Sequence, residues 1–179
     1  MTIQRFSFPT EIHFGAGARN LVGDHLRNRG LKRPLIVTDK GLVALPVLAE
    51  FRQGLDGALD VGVFCGVFGN PTCAQVMEGA AAYQAHRADC VIGFGGGAAL
   101  DVAKVVAAMA VHDGHVLEYA WDHPRVKPIV NELPYFVALP TTSGTGSEVG
   151  RSSVVSEDDT HLKRIVFSPK LLAKAVFAD

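Results

Sequence analysis

Three groups of residues in this sequence could do chemistry. Gly95, Gly96 and Gly97 separate a short apolar run, residues 90–94, from an Ala-, Val- and Leu-rich stretch without Gly or Pro, residues 98–111. The run reads as a buried strand and the stretch as a helix. Glycine between them frees the backbone and admits a ligand closely. The helix start beyond offers unpaired N–H groups and a partial positive charge. Strand, glycine turn and helix thus make a phosphate site, although such turns are often only tight turns.

Asp39 ends the second group, residues 34–39. A carboxylate there suits the two hydroxyls of an adenosine ribose and repels a 2′-phosphate, which favours NAD(H) over NADP(H). Alternatively it caps the helix that follows. In the third group, residues 140–147, Thr141, Thr142 and Thr145 can donate hydroxyls to phosphate or ribose oxygens, or satisfy their own turn. The ordinary dinucleotide fingerprint does not fit, because its glycines follow the first strand and precede the acid. A P-loop is also missing, since no Gly-Lys-Ser/Thr follows the glycines.

Other chemistry is weaker. Asp101 and Lys104 can pair at helical spacing, with Asp101 read in the first turn; both are expected to be structural. His112, His115 and Glu118 resemble a ligand set, but they lie in irregular chain with His123 beyond, whereas metal sites need fixed geometry. His13, His25, His86 and His161 fall in separate predicted elements. No metal site is therefore expected. Ser143 and Ser147 lack the glycine spacing of a nucleophile elbow.

The elements that must position these residues alternate. Residues 6–14 suggest one or two short strands, and residues 20–29 a helix stopped by Gly30. Residues 34–39 are a strand and 42–55 a helix with Pro46 in its first turn. Residues 59–65 are a strand, 70–72 a turn, and 73–87 a helix. After the glycine turn and its helix, residues 112–134 form a long connection and 135–139 another strand. Residues 152–156 and 161–167 form a hairpin, and 175–178 a last strand. This pattern predicts an α/β fold: a Rossmann-like parallel sheet with helices on both faces, plus a β-hairpin near the C-terminal end. Ligands of such sheets sit beyond the carboxyl ends of the strands, where Asp39, the glycine turn and the threonine loop all fall.

The 179 residues carry a net charge of −1 and are 48% hydrophobic and 20% charged. That composition suits a soluble globular domain and argues against nucleic-acid binding. No apolar run is long enough for a membrane span, and the start lacks a signal-peptide layout. Cys65, Cys73 and Cys90 form no close ligand pair, so reduced thiols and a cytoplasmic setting are expected.

Residues 95–104, Gly-Gly-Gly-Ala-Ala-Leu-Asp-Val-Ala-Lys, resemble the Gly-Gly-Gly-Ser-x-x-Asp-x-Ala-Lys segment of the iron-containing (group III) alcohol dehydrogenases. Residues 140–149, Pro-Thr-Thr-Ser-Gly-Thr-Gly-Ser-Glu-Val, are similar to that family's second motif. Phe14-Gly-x-Gly17, the Asp39 strand end and Asn70-Pro-Thr72 occur in register. Ala98 departs from the family's usual Ser, removing a hydroxyl but not the backbone amides. The resemblance implies cofactor contacts at Asp39, Asn70, Gly95, Gly96, Gly97, Ala98, Thr141, Thr142, Thr145 and Lys163. It implies a dinucleotide-binding domain over residues 1–179, in the family joined to a C-terminal helical domain that supplies one Asp and three His to iron or zinc. Those ligands align beyond Asp179, so the chain alone is expected to lack dehydrogenase activity. The family's substrates are small alcohols, diols or aldehydes. An uncovered apolar face would favour a homo-oligomer. Two other readings remain at this point: a glycerol dehydrogenase-like polyol enzyme, which the intact Gly-Thr-Gly-Ser-Glu-Val argues against, and a free-standing nucleotide-binding or interaction domain without activity.

Overall fold

Mostly apolar runs form the strands, and Ala-rich stretches form the two longest helices. The computed structural model describes residues 9–55, 57 and 59–179; the first part of the expected 6–14 strand region lies outside the described residues. The strands are β1 (Glu11–Phe14), β2 (Pro34–Asp39), β3 (Gly62–Val67), β4 (Cys90–Gly95), β5 (Tyr135–Pro140), β6 (Ser152–Ser156), β7 (Lys163–Phe167) and β8 (Ala175–Ala178). The helices are α1 (Val22–Arg27), α2 (Lys40–Val43), α3 (Pro46–Leu55), α4 (Cys73–His86) and α5 (Gly97–Met109).

Among the described residues six strands form one sheet in the order β1-β8-β5-β4-β2-β3, all paired parallel. β6 and β7 make a separate antiparallel hairpin. Side chains alternate between the two faces of the sheet. Leu35, Val37, Val91, Phe136 and Ala138 pack in the layer that holds α4 and α5. Ile36, Ile92, Val137, Leu139 and Phe177 pack with Leu26, Phe51 and Leu55 of α1 and α3. Both faces are thus covered, the arrangement an all-parallel sheet needs. Ile92 has no exposed surface, and cutting it to Ala would cost about 2–5 kcal/mol.

Two predicted helices are divided. The stretch 20–29 is a 3-10 turn over Ala18–Leu21 followed by α1. The stretch 42–55 is α2, capped by Asp39, and then α3. α3 begins at Pro46, which has no N–H to continue a helix from the preceding turn. The strand expected at 59–65 lies slightly later, at β3. Among the described residues no helix is long and apolar enough to cross a membrane.

The topology creates a crevice. From β2 the chain reaches β3 through α2 and α3 on one face, then returns through α4 on the other face to β4, on the opposite side of β2. Connections that leave on opposite faces open a gap at the carboxyl ends of the two central strands. Asp39 ends β2 and Gly95 ends β4.

Candidate nucleotide-binding site

The three glycines at this crevice do different things. Gly95 has φ +151, and a Cβ there would lie 2.8 Å from the Ala99 Cβ and 3.1 Å from Asp39 Oδ2. Gly95 lets β4 and α5 meet; its carbonyl accepts from Thr141 N at 3.0 Å, tying β5 to the turn. A Cβ on Gly97 would lie 2.7 Å from Thr145 Oγ1, so this glycine lets the threonine loop close on the helix. At Gly96 the backbone is ordinary extended chain (φ −74, ψ −177). A Cβ there would meet nothing nearer than Thr142 Oγ1 at 3.9 Å. Gly96 is therefore bare toward open space. It is the N-cap of α5 but brings no side-chain cap, so the first-turn N–H groups are left for an anion.

Of the two roles considered for Asp39 from sequence, the cap is present in the structure. Its Oδ1 accepts from Leu42 N at 3.0 Å and caps α2. It also lines, with Gly41, Phe68, Gly96 and Ala98, a hollow of about 300 Å³. Beyond Ala98 a cleft of about 450 Å³ continues, lined by Asn70, Gly97, Asp101, Thr145 and Lys163 among others. Thr141 and Thr142 line a neighbouring hollow of about 640 Å³ with Phe14, Glu148 and Asp179. The structure thus brings all ten sequence-derived positions to the carboxyl-end side of the sheet. Asn70 is held there because Thr72 and Gln75 form a capping box on α4 and Pro71 O accepts from Ser156 N at 2.8 Å.

Asp101 and Lys104 pair at 3.3 Å, and their setting carries more than the spacing suggests. Asp101 is the fifth residue of α5, so it lies beyond the first turn where sequence placed it. Its Oδ1 accepts from Ser147 Oγ at 2.5 Å and its Oδ2 from Val154 N at 3.1 Å. Its carbonyl accepts from Ser153 Oγ at 2.9 Å. One carboxylate therefore joins the glycine-turn helix to the threonine loop and to the hairpin that carries Lys163. The Lys104 side chain is fully buried; burial pulls its pKa below the usual lysine value, while Asp101 opposes that shift. The role of Ser147 was missed from sequence. The burial of Lys104 had a signal: α5 is apolar all round, as a core helix is.

The histidines of the long connection do not converge. His112 Nε2 accepts from Val130 N and Asn131 N, both at 3.1 Å. His115 and His123 accept from nearby backbone N–H groups, and Glu118 pairs with Lys127. Among the described residues the one set of three or more candidate metal ligands is Glu11, His13 and His25, away from the crevice. Among the described residues no such set lies in the crevice.

The iron-containing alcohol dehydrogenase family model matches residues 9–179. A 4-hydroxybutyrate dehydrogenase of Cupriavidus necator is 39% identical over 150 residues, covering 84% of this chain and 39% of that protein. The solved structure of a 1,3-propanediol oxidoreductase superposes with a TM-score of 0.88 at 31% identity, covering 98% of this chain and 46% of that one. A sulfoacetaldehyde reductase of Bifidobacterium kashiwanohense, solved in complex with NAD+, gives 0.86 at 27% identity, with coverages of 100% and 46%. The chain spans less than half the length of these relatives and matches their N-terminal portion. With a matched stretch that takes in the glycine turn, the threonine loop and the strand end at Asp39, the chain belongs to the iron-containing alcohol dehydrogenase family.

Proposed function

We propose that this chain is the NAD(H)-binding domain of a metal-dependent alcohol dehydrogenase acting on small primary alcohols, diols or the matching aldehydes. The observation that carries this reading is the bare Gly96 at the uncapped start of α5, flanked on one side by Asp39 and on the other by Asn70, Thr145 and Lys163. The relative solved with NAD+ supports the cofactor. The relatives named for 4-hydroxybutyrate and 1,3-propanediol support the substrate class.

In this reading the amides of Gly96, Gly97 and Ala98 hold the pyrophosphate at the positive end of α5. Asp39 takes the hydroxyls of the adenosine ribose and rejects a 2′-phosphate by charge. Asn70, Thr145 and Lys163 line the cleft on the nicotinamide side. When bound, the nicotinamide supplies hydride transfer with an alcohol carbon. The crevice residues offer no metal ligand set, so the chain alone is proposed to bind the cofactor without turning over alcohol.

Calorimetric titration of the 179-residue chain with NAD+ and with NADP+ tests the reading. NAD+ should bind at one site per chain, at least tenfold more tightly than NADP+. No binding of either would remove the proposal, and equal affinities would remove the role of Asp39. Incubation with NAD+, Fe²⁺ or Zn²⁺ and short alcohols should generate no NADH; steady turnover would contradict the proposed division of labour.

A further inference from the structure

Glu11 and His13 stand on β1, and His25 on α1, at the sheet edge away from the crevice. One donor atom from each lies within 4.8 Å of the other two. His13 Nε2 is 3.0 Å from Glu11 Oε1, yet this buried ring nitrogen has no hydrogen-bond partner. The carboxylate is close but off the axis along which the nitrogen could donate. Ligand atoms of a tetrahedral zinc site, with bonds of about 2.0–2.1 Å, sit about 3.3 Å apart. The spacing of this pair is that of two ligands of one ion.

The rings are held in place before any ion arrives. His13 stacks on Phe177 with centroids 4.5 Å apart and planes 5° from parallel. His25 meets the same ring edge-on at 5.0 Å and 87°. Phe177 thereby sets the two imidazoles nearly perpendicular, 86° apart, aimed from different directions. The other oxygen of Glu11, Oε2, accepts from Arg29 Nη2 at 3.3 Å, and Arg29 Nη1 donates to His25 O at 3.1 Å. His25 Nε2 lies 3.0 Å from Tyr135 Oη. Outer partners of this kind orient metal ligands, while the charge of Arg29 moderates affinity for a cation.

We propose that Glu11, His13 and His25 form a site for a divalent transition-metal ion of borderline softness, Zn²⁺ by the chemistry of two imidazoles and one carboxylate. A water completes the fourth position. The site clamps β1 to α1. The site lies on the edge strand β1, three strands across the sheet from β4 and its glycine turn. Its role is to stabilise the edge of the sheet, and it takes no part in hydride transfer. The proposal does not depend on the proposed cofactor function.

The test is a titration of the metal-free chain with Zn²⁺, read by calorimetry and by thermal unfolding. One ion per chain is expected, with a rise in unfolding midpoint of about 5–10 °C at a hundredfold excess over the dissociation constant. His13→Gln and His25→Asn should each weaken binding at least tenfold and leave NAD+ affinity unchanged. Absence of stoichiometric zinc binding by the unsubstituted chain would overturn the proposal. So would binding that survives both substitutions, which would point to a cysteine or to surface carboxylates. Co²⁺ gives a readout that needs no variant. Visible d–d absorption of four-coordinate strength, without a thiolate charge-transfer band, is expected; a thiolate band or a weak six-coordinate spectrum would overturn the assignment.

Discussion

Lys104 Nζ, with no exposed surface, donates to the carbonyl oxygen of Ser152 at 2.8 Å. Together with its pairing to Asp101, this locks α5 to the hairpin. Replacing Lys104 by Met keeps the volume but leaves Asp101 without its cation. Breaking a buried pair this way should cost about 3 kcal/mol, read from the urea midpoint. The pH dependence has a definite sign. Burial lowers the folded-state pKa of Lys104, so as pH rises through that value the folded chain loses its proton before the unfolded chain does. Stability contributed by this group therefore increases with pH up to the ordinary lysine range. Lys104→Met should remove that increase.

The three glycines should separate in mutagenesis. Gly96→Val leaves the folded chain stable, because its backbone is ordinary and its Cβ meets nothing close. It should cut NAD+ affinity at least tenfold, about 1.4 kcal/mol. Gly97→Ala drives its methyl against Thr145 and should displace the threonine loop, costing both stability and affinity. Gly95→Ala faces a strained φ and the Ala99 side chain, and should be the least stable of the three. Thermal unfolding beside cofactor titration would show the order.

Asp39→Ser separates the observed cap from the proposed ribose contact of that carboxylate. Serine keeps an oxygen to accept from Leu42 N, so stability should change by less than about 1 kcal/mol. Removing the negative charge should raise NADP+ affinity relative to NAD+ by about tenfold or more. An unchanged cofactor ratio would show that Asp39 serves only as a cap.

Thiol labelling should find one fast cysteine. Cys65 is exposed, whereas Cys73 and Cys90 are buried. Burial pushes the Cys73 thiol up to about 11 and that of Cys90 higher still, so neither supplies thiolate near neutral pH. A disulfide-exchange reagent should modify one thiol quickly and the other two only on unfolding. Rapid modification of all three would mean that α4 or β4 opens readily.

Much of this architecture was legible in sequence because the informative segments are local. Residues 34–39 and 175–178 are apolar runs whose bounds match β2 and β8. The Gly95–Gly97 turn announces itself by composition. What could not be read depends on distant partners. Asp101 and Lys104 advertise an i, i+3 pair, but that Ser147 and the hairpin close over it follows from the tertiary fold. His13 and His25 seemed unrelated because the sequence separates a strand residue from a helix residue. Only the placement of β1 beside β8, with Phe177 packed against both rings, joins them. The split between α2 and α3 was hidden for a different reason. Pro46 is acceptable in a first turn, and nothing local says which first turn it occupies.

The position of β8 bears on how the domain is built during synthesis. β8 lies between β1 and β5, with Glu11 opposite Ala175 and Val137 also opposite Ala175. Thr10 Oγ1 donates to Ala173 O across 163 residues of sequence, and the Asp179 carboxylate accepts from Gly17 N and Arg19 N. Until residues 173–179 leave the ribosome, β1 has no strand to pair with and one edge of β5 is bare. β1 must wait for β8, and closing so long a loop is slow. Unpaired strand edges are aggregation-prone in that interval. A nascent chain stalled before residue 173 should therefore hold β2, β3 and β4 together while β1 stays open to protease.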